Sequence, residues 1–279
     1  MNVLVFDIET IPDVDGGRRL YDLQGLSDKE VANILFHKRR QQTGNEFLRL
    51  HLHRIVAISA VLRHGQDQLK IWSLGDPDSS ERELVQRFYD GMDRFTPTLV
   101  SWNGCGFDLP VLHYRALVHG IQASRYWDTG DDDREFRWNN YLNRYHSRHL
   151  DLMDVLAAYQ PRANAPLDEI ATLLGFPGKM GMSGAKVWDA FQAGEIEGIR
   201  NYCETDVLNT YLVYLRFELM RGRLMSEAYE IECQRVREKL EEEGKPHFKE
   251  FLSHWKSSPG APAQMPSLET TGDREGAEK

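Results

Sequence analysis

The N-terminal segment constrains the fold more than any other part of the chain. It contains the run V-L-V-F, which ends at Asp7 and is followed closely by Glu9. An unbroken run of apolar, strand-forming side chains is typical of a strand that is buried on both faces. We therefore predict a central strand over residues 2–8, with two carboxylates at its exposed end.

Strands and helices alternate after this first strand. Further apolar strands are predicted at residues 54–62, 68–74 and 98–102, and residues 149–156 contain a strand end or a helix start. A turn at His64 and Gly65 joins the first two of these strands into a hairpin. Helices are predicted at residues 28–41, 81–94, 109–118, 167–175, 196–220 and 224–243. This order indicates an α/β domain.

Several segments lie outside this pattern. Residues 12–53 are largely polar and irregular apart from one helix-like stretch, which indicates an insertion, and residues 124–149 have no clear period. Residues 223–256 form a charged helical extension. Residues 257–279 contain little that a core could bury, so we expect a flexible tail there.

Charge and cysteine content exclude several classes of protein. The 279 residues include 34 Lys and Arg against 43 Asp and Glu, a formal net charge of -9, so any contact with nucleic acid must be local. Three cysteines without a zinc-site spacing argue against a disulfide scaffold and a structural zinc site. The chain contains no signal-peptide pattern and no apolar run that could span a bilayer. We expect a cytoplasmic protein that does not bind membranes.

Asp7 and Glu9 form the first of three acidic motifs. The Asp-x-Glu pattern occurs four times in the chain, but only this pair follows an apolar strand. Side chains two residues apart on a strand lie on the same face, with Cα atoms about 6 to 7 Å apart. Two hard oxygen ligands in this arrangement suit Mg²⁺ or Mn²⁺. The alternative is that Asp7 only terminates the strand.

The second motif is Asn103-x-x-x-Phe107-Asp108, which follows the fourth predicted strand and begins a helix. Asp108 is a candidate metal ligand. A carboxylate at a helix N-terminus also serves as an ordinary cap, and this alternative stays open.

The third motif is Tyr202-x-x-x-Asp206, whose spacing places a phenol and a carboxylate on one face of a helix. The same pattern occurs at Tyr89 and Asp93, where no other acidic motif provides a partner, and we interpret that pair as a solvated helix face. The order of the three motifs, within about 200 residues, distinguishes the set from chance.

These motifs resemble those of the DEDD superfamily of 3′-to-5′ exonucleases, the DnaQ-like group with a ribonuclease H-like fold. The histidine branch carries His five residues before the last Asp, where this chain has Asn201, and the tyrosine branch carries Tyr four residues before it, as here. The segments F-D-I-E-T, N-G-C-G-F-D-L-P, P-L-D-E-I-A-T-L-L-G and Y-C-E-T-D-V are similar to the exonuclease domain of family B DNA polymerases. They are more similar still to the related stand-alone bacterial exonucleases.

The resemblance covers roughly residues 1–220. It implies an α/β, ribonuclease H-like fold with a mixed five-stranded sheet flanked by helices, and an exonuclease domain over residues 1–222. Because 279 residues leave no room for the palm, fingers and thumb of a polymerase, we expect a nuclease alone. The expected reaction is 3′-to-5′ hydrolysis of single-stranded DNA to nucleoside monophosphates.

The resemblance also implies the roles of the site residues. Two Mg²⁺ or Mn²⁺ ions would be held by Asp7, Glu9, Asp108 and Asp206, with Asp7 bridging both, and would activate water and neutralise the phosphate. Tyr202 would orient the water, because a phenol with a pKa of about 10 stays protonated at neutral pH. Without metal, four carboxylates in one site should raise one another's pKa values.

Substrate contacts are expected around the same motifs. Thr10 and Ile11 continue the first motif and are candidates to meet the terminal nucleotide, Ile11 as an apolar wedge. Phe107 is a candidate to stack on a base, with a core position as the alternative. Asn103 is a candidate contact whose alternative is a turn cap. In the segment that contains Lys179 and Lys186, we favour Lys179 for contact with the scissile phosphate.

Two further groups are interpreted as structural. His149 and Asp151 are taken as a satisfied pair rather than as ligands. The basic cluster Lys38-Arg39-Arg40 is taken as a solvated helix face rather than a DNA-binding surface.

The motifs leave two alternative functions open. A ribonuclease D-like 3′-to-5′ exoribonuclease uses the same tyrosine-type site, and the motifs do not identify residues that recognise the RNA 2′-hydroxyl. A catalytically silent nucleic-acid-binding module would not need all five site residues. We expect single-stranded nucleic acid as the partner, with DNA preferred over RNA.

Overall fold

A computed structural model describes residues 2–257 of the chain. The predicted tail lies outside the described residues except for Ser257, which is the last residue of a helix. Within residues 2–257, no helix combines the length and the apolar content needed to cross a membrane.

A mixed five-stranded sheet forms the centre of the fold. Its strands are β1 (Asn2–Pro12), β2 (His53–His64), β3 (Gln68–Ser73), β4 (Thr98–Ser101) and β5 (His149–Asp151). They lie in the order β3-β2-β1-β4-β5; β2 is antiparallel to both of its neighbours, whereas β1, β4 and β5 are parallel. The predicted α/β fold class, a mixed five-stranded sheet flanked by helices, is confirmed.

Helices cover the sheet. Those of the described region are α1 (Val14–Tyr21), α2 (Asp28–Thr43), α3 (Glu81–Phe95), α4 (Asp108–His119), α5 (Ser124–Trp127), α6 (Leu152–Leu156), α7 (Leu167–Leu173), α8 (Val187–Gln192), α9 (Ile196–Met220), α10 (Ser226–Glu243) and α11 (Pro246–Ser257). Residues 149–156, predicted as a strand end or a helix start, contain both, since β5 leads directly into α6. The predicted insertion is more regular than expected, because α1 and α2 pack around a small apolar cluster of their own.

The first strand is longer than predicted. β1 pairs with β2 along its whole length, from Asn2 to Pro12, with a bulge between Glu9 and Thr10. On its other edge it pairs with β4 only as far as Val5. Asp7 and Glu9 therefore lie inside a strand rather than at its end, and one edge of that strand is left open to other segments.

The two faces of β1 belong to two different cores. Val3 and Val5 pack into a core with α9, α10 and α11, and the even-numbered side chains pack against α3 and α4. Because strand side chains alternate, Asp7 and Glu9 point to the same side as Val3 and Val5. The period of the strand thus directs both carboxylates towards α9.

The C-terminal extension belongs to the first of these cores. Phe248, Phe251 and Trp255 on α11 are buried together with residues of α9. At about 1.5 to 3 kcal/mol for each fully buried apolar side chain, this packing makes α11 part of the fold that supports the site.

Candidate active site

The structure brings the five principal candidates together from three segments. β1 carries Asp7 and Glu9, the first turn of α4 carries Asp108, and α9 carries Tyr202 and Asp206. Burial raises the pKa of Asp7 well above its usual range, and the negative charges of the other three carboxylates raise it further. The motifs, separated by about 100 residues each in sequence, therefore form one acidic cluster.

The other carboxylates of the cluster are perturbed in the same direction. Burial, then Asp206 and Asp108, raise the pKa of Glu9. Burial is also the main cause that raises the pKa of Asp108 to about 7 and that of Asp206 to about 6. These four acids can be ionised together at neutral pH only if a positive charge compensates them.

Asp108 provides a direct test of whether a cation fits. Its carboxylate accepts hydrogen bonds from its own backbone N–H and from that of Ile8. Its Oδ1 atom is buried and has no hydrogen-bond partner in the described part of the chain. A buried oxygen without a partner costs about 1 to 3 kcal/mol, and a divalent cation held by Asp7 and Asp108 would satisfy it.

Tyr202 and Asp206 are joined directly. The Tyr202 hydroxyl donates a hydrogen bond to the Asp206 carboxylate, which lowers the pKa of Asp206 against the effect of burial. Burial and the charges of Asp206, Glu9 and Asp7 raise the pKa of Tyr202 above its usual value. The phenol therefore stays protonated, which suits a hydrogen-bonding group and not a general base.

The turn of the second motif is held by a residue that the sequence did not identify as important for the site. The backbone N–H groups of Asn103 and Cys105 donate to the Asp151 carboxylate at 2.9 and 2.8 Å. Asn103 has a φ of 65°, a left-handed conformation that Asn adopts more readily than most residues. Asp151 is thus structural, as expected, but it does not act as a pair with His149, which contacts Ser101 at 2.8 Å.

Asn103 has a role of the kind expected for a turn residue. Its backbone carbonyl accepts hydrogen bonds from the N–H groups of Gly106 and Phe107, both at 3.0 Å. A Cβ atom on Gly106 would lie 2.3 Å from the Asn103 Oδ1 atom. The glycine is therefore needed for this side chain to lie over the turn.

Two of the candidate substrate contacts are engaged within the fold. The Thr10 hydroxyl lies 2.8 Å from the His53 Nδ1 atom. Ile11 is only 2% exposed and belongs to an apolar cluster that includes Cys203. The Ile11 side chain therefore cannot act as an apolar wedge, because the period that directs Asp7 and Glu9 towards α9 buries Ile11 there as well.

Lys179 lies near the acidic cluster. Its positive charge lowers the pKa of both Glu9 and Asp206, although burial outweighs this effect. The backbone N–H of Lys179 donates to Asp168 at 2.5 Å, and Asn209 on α9 bonds both backbone groups of the preceding Gly178. The loop is thus attached to the same helix that carries the third motif.

The second Tyr-x-x-x-Asp pattern differs from its interpretation. Asp93 is exposed, but Tyr89 is 1% exposed and packs against Phe88 and Tyr126. Tyr89 is a core residue, because its side of α3 faces the sheet.

Comparisons with known proteins agree with the motifs. The family model described as "Predicted 3'-5' exonuclease related to the exonuclease domain of PolB" matches residues 45–255, a range that begins after the first acidic motif and includes the other two. No curated protein matches. Among solved structures, the chain is similar to the family B DNA polymerase from the hyperthermophilic archaeon Pyrobaculum calidifontis, with 18% identity and a TM-score of 0.47.

That similarity covers 79% of this chain and 24% of the polymerase, so the chain spans about a quarter of the polymerase's length. The family model, in contrast, covers well over half of this chain. The chain therefore belongs to the family of predicted 3′-5′ exonucleases related to the exonuclease domain of PolB.

Proposed function

We propose that this protein is a metal-dependent exonuclease that removes nucleoside monophosphates one at a time from the 3′ end of single-stranded DNA. The observation that carries the proposal is the convergence of Asp7, Glu9, Asp108 and Asp206 in one buried cluster. Four carboxylates without a counter-charge destabilise a fold, whereas hard divalent cations require such oxygen ligands.

The four carboxylates suit different positions around two ions. Asp7 interacts with all three of the other acids, and it would help to hold both ions. Glu9 and Asp206 would complete one site, and the buried Oδ1 atom of Asp108 would contribute to the other. Two Mg²⁺ or Mn²⁺ ions, when bound, would lower the pKa of the attacking water and neutralise charge on the phosphate.

Tyr202 would orient the attacking water. The Tyr202 hydroxyl donates a hydrogen bond to Asp206. The phenol oxygen therefore keeps a lone pair that can accept a hydrogen bond from that water. Lys179, whose charge reaches Glu9 and Asp206, is suited to contact the phosphate. Phe107, next to Asp108, is suited to stack on the terminal base, with Thr10 and Asn103 bordering the same position.

One assay tests this proposal. A 5′-labelled single strand of DNA and an RNA strand of equal sequence are incubated with Mg²⁺, with Mn²⁺ or with a chelator. We expect the DNA to shorten one nucleotide at a time from its 3′ end and the chelator to stop the reaction. A 3′-phosphate should block the reaction, because the position proposed for the terminal nucleotide, beside Phe107, Thr10 and Asn103, would accept a free 3′-hydroxyl.

The same assay contains the outcomes that would contradict the proposal. Fragments released from circular single-stranded DNA, added as a further substrate under the same conditions, would indicate an endonuclease. Cleavage of RNA in preference to DNA would favour the ribonuclease D-like alternative. Binding of either strand without cleavage in both metals would indicate a catalytically silent module.

A further inference from the structure

An exposed aromatic ring from the predicted insertion packs beside the candidate active site. Phe47 is 56% exposed, and its ring centroid lies 5.7 Å from that of Phe107 and 5.3 Å from that of His53. The His53 ring meets the Phe107 ring edge to face at 5.2 Å. We call Phe47, His53 and Phe107 the aromatic cluster.

The aromatic cluster is connected to two of the acidic motifs. His53 contacts the hydroxyl of Thr10, which follows Glu9 in β1. Phe107 directly precedes Asp108 at the start of α4. The Phe47 ring therefore packs on residues that adjoin Glu9 and Asp108 through Thr10 and Phe107, and more than half of it is exposed to solvent.

The loop that presents Phe47 is fixed by polar contacts on both sides of the residue. The Arg39 Nε atom donates to the Phe47 carbonyl at 2.7 Å, and the Phe47 N–H donates to Asn45 Oδ1 at 3.1 Å. Arg40 forms an ion pair with Glu46. Two members of the basic cluster in α2 thus position the loop, which corrects their interpretation as a merely solvated helix face.

Phe47 packs on His53 and Phe107 and still leaves 56% of its surface exposed, so the ring is available to contact a bound molecule. Burial lowers the pKa of His53 to about 4, and the aromatic cluster is therefore uncharged at neutral pH. An uncharged aromatic surface suits a nucleobase and not a phosphate, because every base has an aromatic face that stacks.

We propose that Phe47 is a base-stacking residue that holds the nucleotide immediately upstream of the terminal one in a single-stranded substrate. This inference rests on the proposed function for the position of the terminal nucleotide, beside Phe107. Because the Phe47 ring lies next to Phe107, it then contacts the base of the nucleotide that precedes the terminal one. The insertion contributes to substrate binding, and the contact tolerates any base sequence.

Two substrates separate this contact from the chemistry. The p-nitrophenyl ester of thymidine 5′-phosphate has a terminal nucleoside but no upstream base, whereas a single strand has both. Phe47→Ala should raise KM for the single strand about 5- to 150-fold, since stacking contributes about 1 to 3 kcal/mol per base. It should leave hydrolysis of the ester unchanged and lower the melting temperature only slightly, since the ring loses its contacts with His53 and Phe107 but is already largely exposed. Phe47→Trp should restore the low KM.

The matched control is Leu117→Ala, which removes another exposed apolar side chain, 80% exposed on α4. This variant should change neither KM for the single strand nor hydrolysis of the ester. A strand with an abasic site next to its 3′-terminal nucleotide adds a second test. The native protein should bind that strand weakly, and Phe47→Ala should not reduce the affinity for it any further.

The outcomes distinguish this inference from the proposed function. An unchanged KM for the single strand in Phe47→Ala, or an equal loss on the ester, would overturn the stacking role. Fluorescence anisotropy with Ca²⁺ measures binding of the same strands without hydrolysis. If the native protein cuts neither substrate but Phe47→Ala still weakens binding, the stacking role stands and the proposed function fails.

Discussion

The Cys203 thiol donates a hydrogen bond to the backbone carbonyl of Asp7 at 3.4 Å and lies 3.7 Å from the Asp7 Oδ2 atom. Cys203 is fully buried and lies between Tyr202 and Asp206 on α9. This contact therefore joins the helix of the third motif to the strand of the first. The relative placement of two candidate metal ligands depends on a residue that neither motif specifies.

Cys203→Ala should lower kcat about fivefold and leave KM for DNA nearly unchanged, because it releases the orientation of Asp7 without touching substrate. A net hydrogen bond contributes about 1 kcal/mol, which is about a fivefold change in rate. Cys203→Ser keeps a donor and should retain most activity. The control is Cys233→Ala, a buried cysteine on α10. Steady-state kinetics would contradict this role if the serine and alanine variants lost activity equally.

Asp7→Ala and Asp206→Ala should each reduce turnover to less than about a hundredth, since metal-site electrostatics contribute several kcal/mol to catalysis. Neither change empties a core, so far-UV circular dichroism should stay native. Asp93→Ala removes an exposed carboxylate of α3 and should have no effect. More than about a tenth of native turnover in either site variant would break the assignment.

Asp108→Asn should stabilise the metal-free protein increasingly as pH rises from about 4 to about 7. The folded pKa of about 7 exceeds the ordinary value of 3.8. Between these two values the unfolded chain ionises while the folded carboxyl keeps its proton, so the native protein loses stability as pH rises. The amide does not titrate. Denaturant unfolding in chelator at pH 5 and pH 8 should show a gain of about 2 kcal/mol or more at the higher pH. Excess Mg²⁺ should abolish this stability gain of the variant, because the ion should stabilise only the native protein.

Asp151→Ala should destabilise the turn of the second motif and lower both stability and activity. It leaves the N–H groups of Asn103 and Cys105 without their acceptor, at a cost of about 1 to 3 kcal/mol. Asp151→Asn keeps one acceptor oxygen and should lie between the alanine variant and the native protein. Thermal unfolding and turnover measure the two effects. An intact Asp151→Ala variant would show that the turn does not need this acceptor.

Glu204→Gln should destabilise the protein at neutral pH, and the difference should shrink as pH falls below about 4.5. Although burial raises the pKa of Glu204, hydrogen bonds from His247, Lys245 and Ser73 lower it overall. A lowered pKa contributes stability above the ordinary value of 4.5, and that stability is lost as pH falls. Denaturant unfolding across this range provides the measurement, with exposed Glu227→Gln as the control. A difference independent of pH would contradict the electrostatic origin.

Local patterns in the sequence were sufficient to predict the strands of the sheet. The apolar run before Asp7 predicts a buried strand, and the spacing of Tyr202 and Asp206 predicts one helix face. Because both motif patterns recur elsewhere in the chain, the five principal candidates for the site were selected by the order of the three motifs and their resemblance to a known family. The same strand period also predicts that Asp7 and Glu9 share a side.

Tertiary structure decided which distant residues support that site. Three contacts between distant residues show this. The turn at Asn103 is attached to Asp151, and Cys203 is attached to Asp7 across 196 positions. The rings of Phe47 and Phe107 are in contact across 60 positions. No local pattern encodes such contacts, because they depend on the packing of β1, β5 and α9 around a common core. Ile11 was misjudged for the same reason: its place in the sequence follows the motif, whereas its burial is set by the helices packed against that face of the sheet.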